Sequence, residues 1–280
     1  MAHRKSELPV ILEPTSLQKM LDSQDLIIVD LCKPEVYQQL HIPGAVSFDY
    51  ASLVSGRKPA PGLLPDLAHL NAQVSALGIH PTSHVVTYDD EGNGRAARLM
   101  WTLHVLGFEQ VSVLNGGIHA WVNEGHPVEQ QARQPIGTGS FFAKTIETDT
   151  LAKKSDVLSS LDNPDCMLLD ARTPEEYSGS KVLASRGGHI PGSHNLNWTD
   201  TIDQARNMRL KTDDQLFRLL GALGFSKDKR IITYCQTHHR SSHSYMMLRH
   251  LGYDRVSGYA GAWSEWGNDP DTPVSTGYDN

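Results

Sequence analysis

The chain of 280 residues contains two similar halves, and this internal repeat constrains its fold more than any other feature. The segment His41–Gly44, which reads His-Ile-Pro-Gly, returns at His189–Gly192. The apolar run that ends in Tyr88 returns as the run that ends in Tyr234. Each half has the usual length of one domain and can bury a core of its own. The chain is therefore predicted to fold as two copies of one domain.

Short apolar runs alternate with amphipathic stretches in both halves, which is typical of strands joined by crossover helices. The predicted strands are Leu26–Asp30, His84–Tyr88, Val111–Leu114, Cys166–Asp170, Arg230–Tyr234 and 255–258. Helices are predicted over 95–106 and 241–251, each followed by a glycine that commonly ends a helix. The predicted fold class is α/β, with two similar domains that each contain a mainly parallel sheet flanked by helices. Ligands of such sheets bind beyond the carboxyl ends of the strands.

The predicted boundaries follow from a polar stretch without periodicity in the middle of the chain. Residues 129–144 contain Pro135, Gly137 and several glutamines, and they are interpreted as a linker. The first domain is then expected over 1–128 and the second over 145–280.

Composition excludes several classes of partner. The net charge is −7 and no basic stripe is visible, which argues against nucleic-acid binding. No apolar run is long enough to span a membrane, and the first residues lack the apolar stretch of an export signal. Three widely spaced cysteines suit a reducing compartment, so a cytoplasmic location is expected.

The two halves differ after the repeated tyrosine. The first half continues with the acidic segment Asp89–Gly94, and the second with Cys235, Gln236, Thr237, His238, His239 and Arg240. A loop between a strand and a helix turns sharply, so its N–H groups form an anion-holding concavity beside the positive helix end. These dipoles and Arg240 favour the thiolate form of Cys235. The sequence therefore predicts one activated nucleophile, in the second half.

Other interpretations of this cysteine are weaker. An inert thiol at a strand end does not explain the polar, basic residues that follow it. A metal site made of Cys235, His238, His239 and His243 is disfavoured, because adjacent histidines on a tight loop point in different directions. No metal is predicted. Cys166 is interpreted as a buried core thiol, and Cys32 as a residue without a chemical role.

From about residue 13 to residue 274, the chain resembles the tandem-domain rhodaneses, which are thiosulfate:cyanide sulfurtransferases. The most specific marks are the paired His-Ile-Pro-Gly segments, the Tyr-Cys loop and the segment 258–266. The loop Cys-Gln-Thr-His-His-Arg is similar to that of certain bacterial members. The resemblance implies two rhodanese-like domains, of which the first has lost the cysteine. Asp89 matches that loss, and Cys235 matches the catalytic residue.

The resemblance also implies a mechanism without a cofactor. Cys235 would take the outer sulfur of thiosulfate as a persulfide and pass it to a thiophilic acceptor such as cyanide. Arg240 would balance the charge of the donor, and Arg186 is a second candidate for that role. Trp198 is expected to form a wall of the pocket. The first domain would serve as a scaffold.

Alternative functions remain open at this point. The loop departs from the Cys-Gly-Ser-Gly type of the 3-mercaptopyruvate sulfurtransferases, which favours thiosulfate as donor but leaves mercaptopyruvate as an alternative. A carrier that hands its sulfur to a protein acceptor would use the same residues. A cysteine phosphatase or arsenate reductase is less favoured, because four residues separate Cys235 from Arg240 and those enzymes have one more. A non-catalytic binding module fits only the first half.

Overall fold

The computed structural model describes residues 8–134 and 137–278. The chain divides into two compact units, and neither is a continuous stretch of sequence. Unit 1 consists of Met1–Leu53, Pro65–Glu147 and Ile202–Leu210. Unit 2 consists of Val54–Leu64, Thr148–Thr201 and Lys211–Asn280.

Unit 1 is built on a parallel sheet flanked by helices. Its strands are β1 (Ile11–Leu12), β2 (Leu26–Asp30), β3 (Val46–Ser47), β4 (His84–Tyr88) and β5 (Val111–Leu114). Its helices are α1 (Pro14–Gln18), α2 (Pro34–Gln39), α3 (Leu67–Ala76), α4 (Gly94–Val105) and α5 (Gly117–Asn123). The strand order is β1-β5-β4-β2-β3, and every pairing is parallel.

Unit 2 repeats this arrangement. Its strands are β6 (Leu151–Ala152), β7 (Cys166–Asp170), β8 (Ser193–Asn195), β11 (Arg230–Tyr234) and β12 (Val256–Tyr259). Its helices are α6 (Lys154–Ser160), α7 (Pro174–Ser178), α8 (Asp213–Ala222), α9 (Arg240–His250) and α10 (Ala262–Trp266). The strand order β6-β12-β11-β7-β8 corresponds to that of unit 1, and the pairings are again parallel. The predicted fold class is confirmed.

The remaining short elements lie in connecting segments. They are the 3-10 turns Tyr50–Leu53, Trp198–Thr201 and Gln204–Arg206, and the antiparallel pair β9 (Ile202–Asp203) and β10 (Arg209–Leu210). Arg209 joins this pair to the rest of unit 1, because its guanidinium donates to the carboxylates of Glu13 and Glu124. In the described part of the chain, no helix combines the length and the apolar content needed to cross a bilayer.

The predicted strands and helices lie within one residue of the observed ones. The central strands β4 and β11 are buried after their first residue, as expected where helices cover both faces of a parallel sheet. Helices α4 and α9 begin and end one residue earlier than predicted. Leu106 and Leu251 are cap residues with ψ near zero, and the left-handed Gly107 and Gly252 follow them.

The two His-Ile-Pro-Gly segments have the same structural role in their own units. The buried ring of His41 stacks on Tyr37 with 4.0 Å between centroids, and its Nδ1 lies 2.7 Å from the Tyr37 carbonyl oxygen. His189 stacks on Tyr177 at 3.7 Å, with its Nδ1 2.8 Å from the Tyr177 carbonyl oxygen. Both histidines therefore hold a turn to the preceding helix.

The described part of segment 129–144, predicted as a linker, contacts unit 1 at several points. Glu129 and His41 exchange backbone hydrogen bonds of 2.9 Å. The side chain of Asn71 donates to the carbonyl oxygen of Ala143 and accepts from its N–H, both at 2.9 Å. This segment is thus ordered by specific hydrogen bonds and forms part of unit 1.

Candidate active site

Cys235 is the first residue after β11, and the loop that starts there ends where α9 begins at Arg240. We refer to residues 235–240 as the Cys235 loop. The carbonyl oxygen of Cys235 accepts a 2.9 Å hydrogen bond from the N–H of Trp263, and that of Gln236 accepts a 3.0 Å hydrogen bond from the N–H of Ser264. The start of α10 therefore fixes the beginning of the loop.

The middle of the loop turns at His238, which has a left-handed φ of +57°. A residue with a Cβ rarely adopts this conformation, so the surroundings must hold it. The carbonyl oxygen of His238 accepts a 2.5 Å hydrogen bond from Ser242 Oγ, and its Nδ1 lies 2.7 Å from Ser241 Oγ. Two serines in the first turn of α9 thus stabilise the turn.

The thiol of Cys235 is fully buried, but the groups that act on it are polar. Burial alone would raise the pKa of the thiol. The charge of Arg240 and hydrogen bonds from Ser241 and the Thr237 N–H outweigh burial, so the pKa of Cys235 is lowered. The arrangement favours a thiolate at this position.

The other two cysteines lack such an environment. Burial, followed by the negative charge of Asp30, raises the pKa of Cys32. Burial also raises the pKa of Cys166, although Arg230 opposes the shift. Of the three cysteines, Cys235 is therefore the one whose surroundings favour a nucleophilic thiolate.

Arg240 is held by a carboxylate that the sequence analysis did not identify. Its Nη1 and Nη2 donate to Glu176 Oε2 and Oε1 at 2.7 and 2.8 Å. The Glu176 side chain is only 2% exposed and that of Arg240 19%. Burial acts to raise the pKa of Glu176, but the hydrogen bonds and charge of Arg240 lower it overall.

A local signal for Glu176 exists in the sequence. Thr173 and Glu176 form a capping box at the start of α7, in which each side chain accepts from the backbone N–H of the other. The pattern Thr-x-x-Glu predicts such a box. It does not predict that the same carboxylate binds an arginine on α9.

Two further residues predicted for the site lie in or beside the Cys235 loop. Gln236 donates from its Nε2 to the carbonyl oxygen of Leu183 at 3.1 Å. Trp198 lies in the turn after β8, and its ring makes edge-to-face contacts with the rings of His239 and His243. The ring centroids are 6.2 Å apart for His239 and 5.5 Å apart for His243. Trp198 is thus next to the loop, as the prediction of a pocket wall requires.

Arg186 has a different environment from the one the sequence suggested. Its terminal nitrogens donate to Thr272 through the carbonyl oxygen at 2.7 Å and Oγ1 at 2.6 Å, and to the carbonyl oxygens of Trp266 and Asp269. These contacts hold the segment after α10. They give Arg186 a structural role and offer no support for the prediction that it binds a donor.

Comparison with known proteins decides the family. Residues 13–124 and 153–269 match the family model of the rhodanese-like domain. The chain belongs to the rhodanese family. This rhodanese is 44% identical over 269 residues to a thiosulfate sulfurtransferase of Pseudomonas aeruginosa. The aligned region covers 96% of the chain and 98% of that relative.

Two comparisons concern the sister group within the family. The rhodanese is 33% identical over 241 residues to the 3-mercaptopyruvate sulfurtransferase of Escherichia coli, covering 85% of the chain and 84% of that protein. A solved structure of a 3-mercaptopyruvate sulfotransferase from Escherichia coli matches it with a TM-score of 0.80 at 29% identity, covering 91% and 99% of the two chains. The tandem rhodanese architecture predicted from the sequence is confirmed, and the chain is a sulfurtransferase.

The corresponding loop of the first rhodanese unit is filled by its own carboxylate. The buried Asp89 follows β4 as Cys235 follows β11. Its two carboxylate oxygens accept four backbone hydrogen bonds of 2.8 to 3.0 Å, from the N–H groups of Glu91, Asn93, Arg95 and Ala96. Backbone donors that surround a sulfur in unit 2 therefore surround a carboxyl group in unit 1, where burial raises the pKa of Asp89 despite these hydrogen bonds.

Proposed function

We propose that this rhodanese moves sulfane sulfur from thiosulfate to a thiophilic acceptor through a persulfide on Cys235. The observation that carries the proposal is the environment of the thiol. Cys235 lies at the carboxyl end of a central strand, and Arg240, Ser241 and the Thr237 N–H lower its pKa. A thiolate at neutral pH is the form that attacks a sulfur atom.

In the first half-reaction, the Cys235 thiolate attacks the outer sulfur of thiosulfate. A sulfur–sulfur bond forms to the cysteine, and the bond to the sulfonate sulfur breaks. Sulfite leaves with the electron pair of that bond. The cysteine retains the transferred sulfur as a persulfide anion, and no redox partner or cofactor takes part.

In the second half-reaction, the acceptor attacks the terminal sulfur of the persulfide. With cyanide as acceptor, a carbon–sulfur bond forms and thiocyanate leaves. The electron pair of the broken sulfur–sulfur bond returns to Cys235 as the thiolate. N–H groups of the Cys235 loop stabilise the anionic sulfur in both states, as an oxyanion hole stabilises oxygen.

Arg240 and Glu176 define the charge of the site. Because both terminal nitrogens of Arg240 donate to Glu176, the guanidinium is held in one orientation. Its positive charge still acts on the thiol. We infer that Arg240 stabilises the Cys235 anion and that the donor meets the remaining surface of the loop beside Trp198.

Thiosulfate is proposed as the donor because the relative at 44% identity is a thiosulfate sulfurtransferase. The relative at 33% identity is a 3-mercaptopyruvate sulfurtransferase, so mercaptopyruvate is the alternative donor. Steady-state rates with each donor, with cyanide as acceptor, distinguish the two. Faster turnover of mercaptopyruvate would reverse the assignment.

The persulfide itself provides the main test. Intact-mass measurement after incubation with thiosulfate should show one added sulfur atom, which cyanide removes. The Cys235→Ser variant should gain none, whereas a Cys32→Ser/Cys166→Ser double variant should gain one as the wild type does. If a protein acceptor removed the added sulfur and cyanide did not, the result would favour a protein-directed sulfur carrier. Hydrolysis of a phosphate ester that depends on Cys235 would favour a phosphatase.

A reducing cytoplasm is the proposed location. All three cysteines are free thiols. Oxidation of the low-pKa thiol would block the first half-reaction, and reducing compartments prevent it.

A further inference from the structure

A short segment from the first half of the sequence belongs to unit 2. It comprises Val54–Leu64, and we call it the arm. The arm folds back on itself, since the N–H of Ser55 donates to the Leu63 carbonyl oxygen at 2.7 Å and that of Gly56 donates to the Pro61 carbonyl oxygen at 3.0 Å. These two hydrogen bonds give the segment a defined shape although it contains no regular helix or strand.

The arm touches the Cys235 loop at Gly62. A Cβ atom placed on Gly62 would lie 2.1 Å from the carbonyl oxygen of Thr237 and 2.9 Å from its Cα. Both neighbouring atoms are backbone, so no side-chain movement can relieve the contact. The φ of Gly62 lies outside the left-handed region, so the glycine is required by space and not by backbone conformation.

The backbone of Thr237 has two roles in the Cys235 loop. Its N–H is one of the donors to the Cys235 sulfur. Its carbonyl group is joined to His238, which carries the left-handed turn with a φ of +57°. A group that fixes the Thr237 backbone therefore fixes a donor to the sulfur and supports the turn beside it.

We propose that Gly62 is a positioning residue for Cys235: its missing side chain lets the arm pack on the Thr237 backbone and hold the sulfur-binding loop. The inference rests on the proposed role of Cys235. It assigns a part in sulfur transfer to a segment that lies far from the Cys235 loop in the sequence. In this proposal the arm acts through the backbone of Thr237.

The test is the Gly62→Ala variant of the full chain. The added methyl group should displace the Thr237 backbone and weaken its hydrogen bond to the sulfur. A hydrogen bond to a charged group is strong enough that its loss should raise the thiol pKa by about one unit or more. The pH dependence of iodoacetamide labelling, with Cys235 followed by peptide mass, measures this shift without turnover. We expect kcat to fall about tenfold or more, with a smaller change in KM, because the loop stabilises the anion.

Gly221→Ala is the matched control, since a Cβ on this glycine of α8 meets nothing within 4 Å. It should leave both the labelling profile and kcat unchanged. Pro61→Gly adds no atoms and loosens the arm, so it should raise the thiol pKa even if Gly62→Ala does not fold. Thermal unfolding verifies that each variant is folded.

Folded Gly62→Ala and Pro61→Gly variants with the wild-type labelling profile would overturn the proposal for the arm. This outcome is separate from a failure of the proposed function. If Cys235→Ser retained sulfur transfer, the role of Cys235 would be wrong whatever the labelling of Gly62→Ala showed.

Discussion

Glu176 on α7 holds the guanidinium of Arg240 on α9 through two hydrogen bonds of 2.7 and 2.8 Å. The pair joins two helices of unit 2, and the charge of Arg240 is the strongest influence that lowers the pKa of Cys235. A buried carboxylate thus fixes the cation that stabilises the reactive thiol.

Glu176→Gln should weaken both the fold and the reaction. Removing one charge of a largely buried pair leaves Arg240 without its counter-ion, and we expect the free energy of unfolding to fall by about 2–4 kcal/mol. Because Arg240 is then less well positioned, kcat should fall more than KM rises. Glu175→Gln on the same helix is the control, since Glu175 is exposed. Equal effects of the two substitutions would contradict the role of the pair.

The same variant has a defined pH dependence. The pKa of Glu176 is lower in the folded protein than its usual value, so its contribution to stability is present at neutral pH and disappears as the pH falls through the folded pKa. Denaturant unfolding should therefore show a difference between wild type and Glu176→Gln at pH 7 that narrows in acid. A difference that is constant from pH 7 into acid would contradict the lowered pKa.

Arg240→Gln should raise the pKa of the Cys235 thiol, because the positive charge that favours the thiolate is lost. In the wild type, the lowered pKa keeps a larger fraction of the thiol ionised than an ordinary cysteine would have at the same pH. In Arg240→Gln, the fall in activity with decreasing pH should begin at higher pH, so that activity lost at pH 7 is partly recovered in alkaline solution. Arg240→Lys keeps the charge and should show a smaller shift. Labelling of Cys235 across this pH range measures the pKa directly, and an unshifted profile in Arg240→Gln would contradict the prediction.

Asp89→Ala and Cys235→Ser should separate stability from chemistry. Asp89→Ala removes the acceptor of four backbone N–H groups, and we expect a loss of about 2–4 kcal/mol in the free energy of unfolding. The folded fraction should retain its sulfur transfer, whereas Cys235→Ser should lose it while remaining stable. Steady-state assays and denaturant unfolding of both variants check this. Equal loss of activity in both would show that the site is not confined to unit 2.

Arg186→Gln should affect stability and leave donor binding unchanged. Its guanidinium donates hydrogen bonds to carbonyl oxygens of Trp266 and Thr272, at the end of α10 and after it. Loss of these hydrogen bonds should reduce the free energy of unfolding by about 1–3 kcal/mol. The KM for thiosulfate should stay within about twofold of the wild-type value, because the Arg186 guanidinium binds protein carbonyl groups and not the donor. A large rise in KM with unchanged stability would instead support the role predicted from the sequence.

Much of the fold could be predicted because its signals are local. The apolar runs that form β4 and β11 are visible as continuous stretches, since parallel strands are buried on both faces. Gly107 and Gly252 mark the helix ends through their left-handed conformation. Non-local contacts were harder to predict. The arm comes from the first half of the sequence but belongs to unit 2, and the segment Ile202–Leu210 comes from the second half but belongs to unit 1. No periodicity in the sequence indicates such an exchange.

The site shows the same division. The position of Cys235 at the start of a loop between a strand and a helix was predictable, because a thiol between a buried strand and a basic turn is unusual in a core. The role of Glu176 was not, since its capping box accounts for the residue without reference to Arg240. Arg186 was a second candidate for binding the donor because the resemblance to the rhodaneses implies a basic residue from this region there. Its four acceptors come from residues about 80 or more positions away in the chain.

The sequence by itself determined that the protein has two similar parallel α/β units and that Cys235 opens the loop that distinguishes them, because hydrophobic periodicity and turn residues act between neighbours in the chain. Only the tertiary structure decided which charges and backbones meet. Glu176 reaches Arg240 across 64 residues, and Gly62 meets Thr237 from the other half of the chain. Such pairs depend on how helices and connecting segments pack, and packing is a property of the whole folded unit that no local pattern contains.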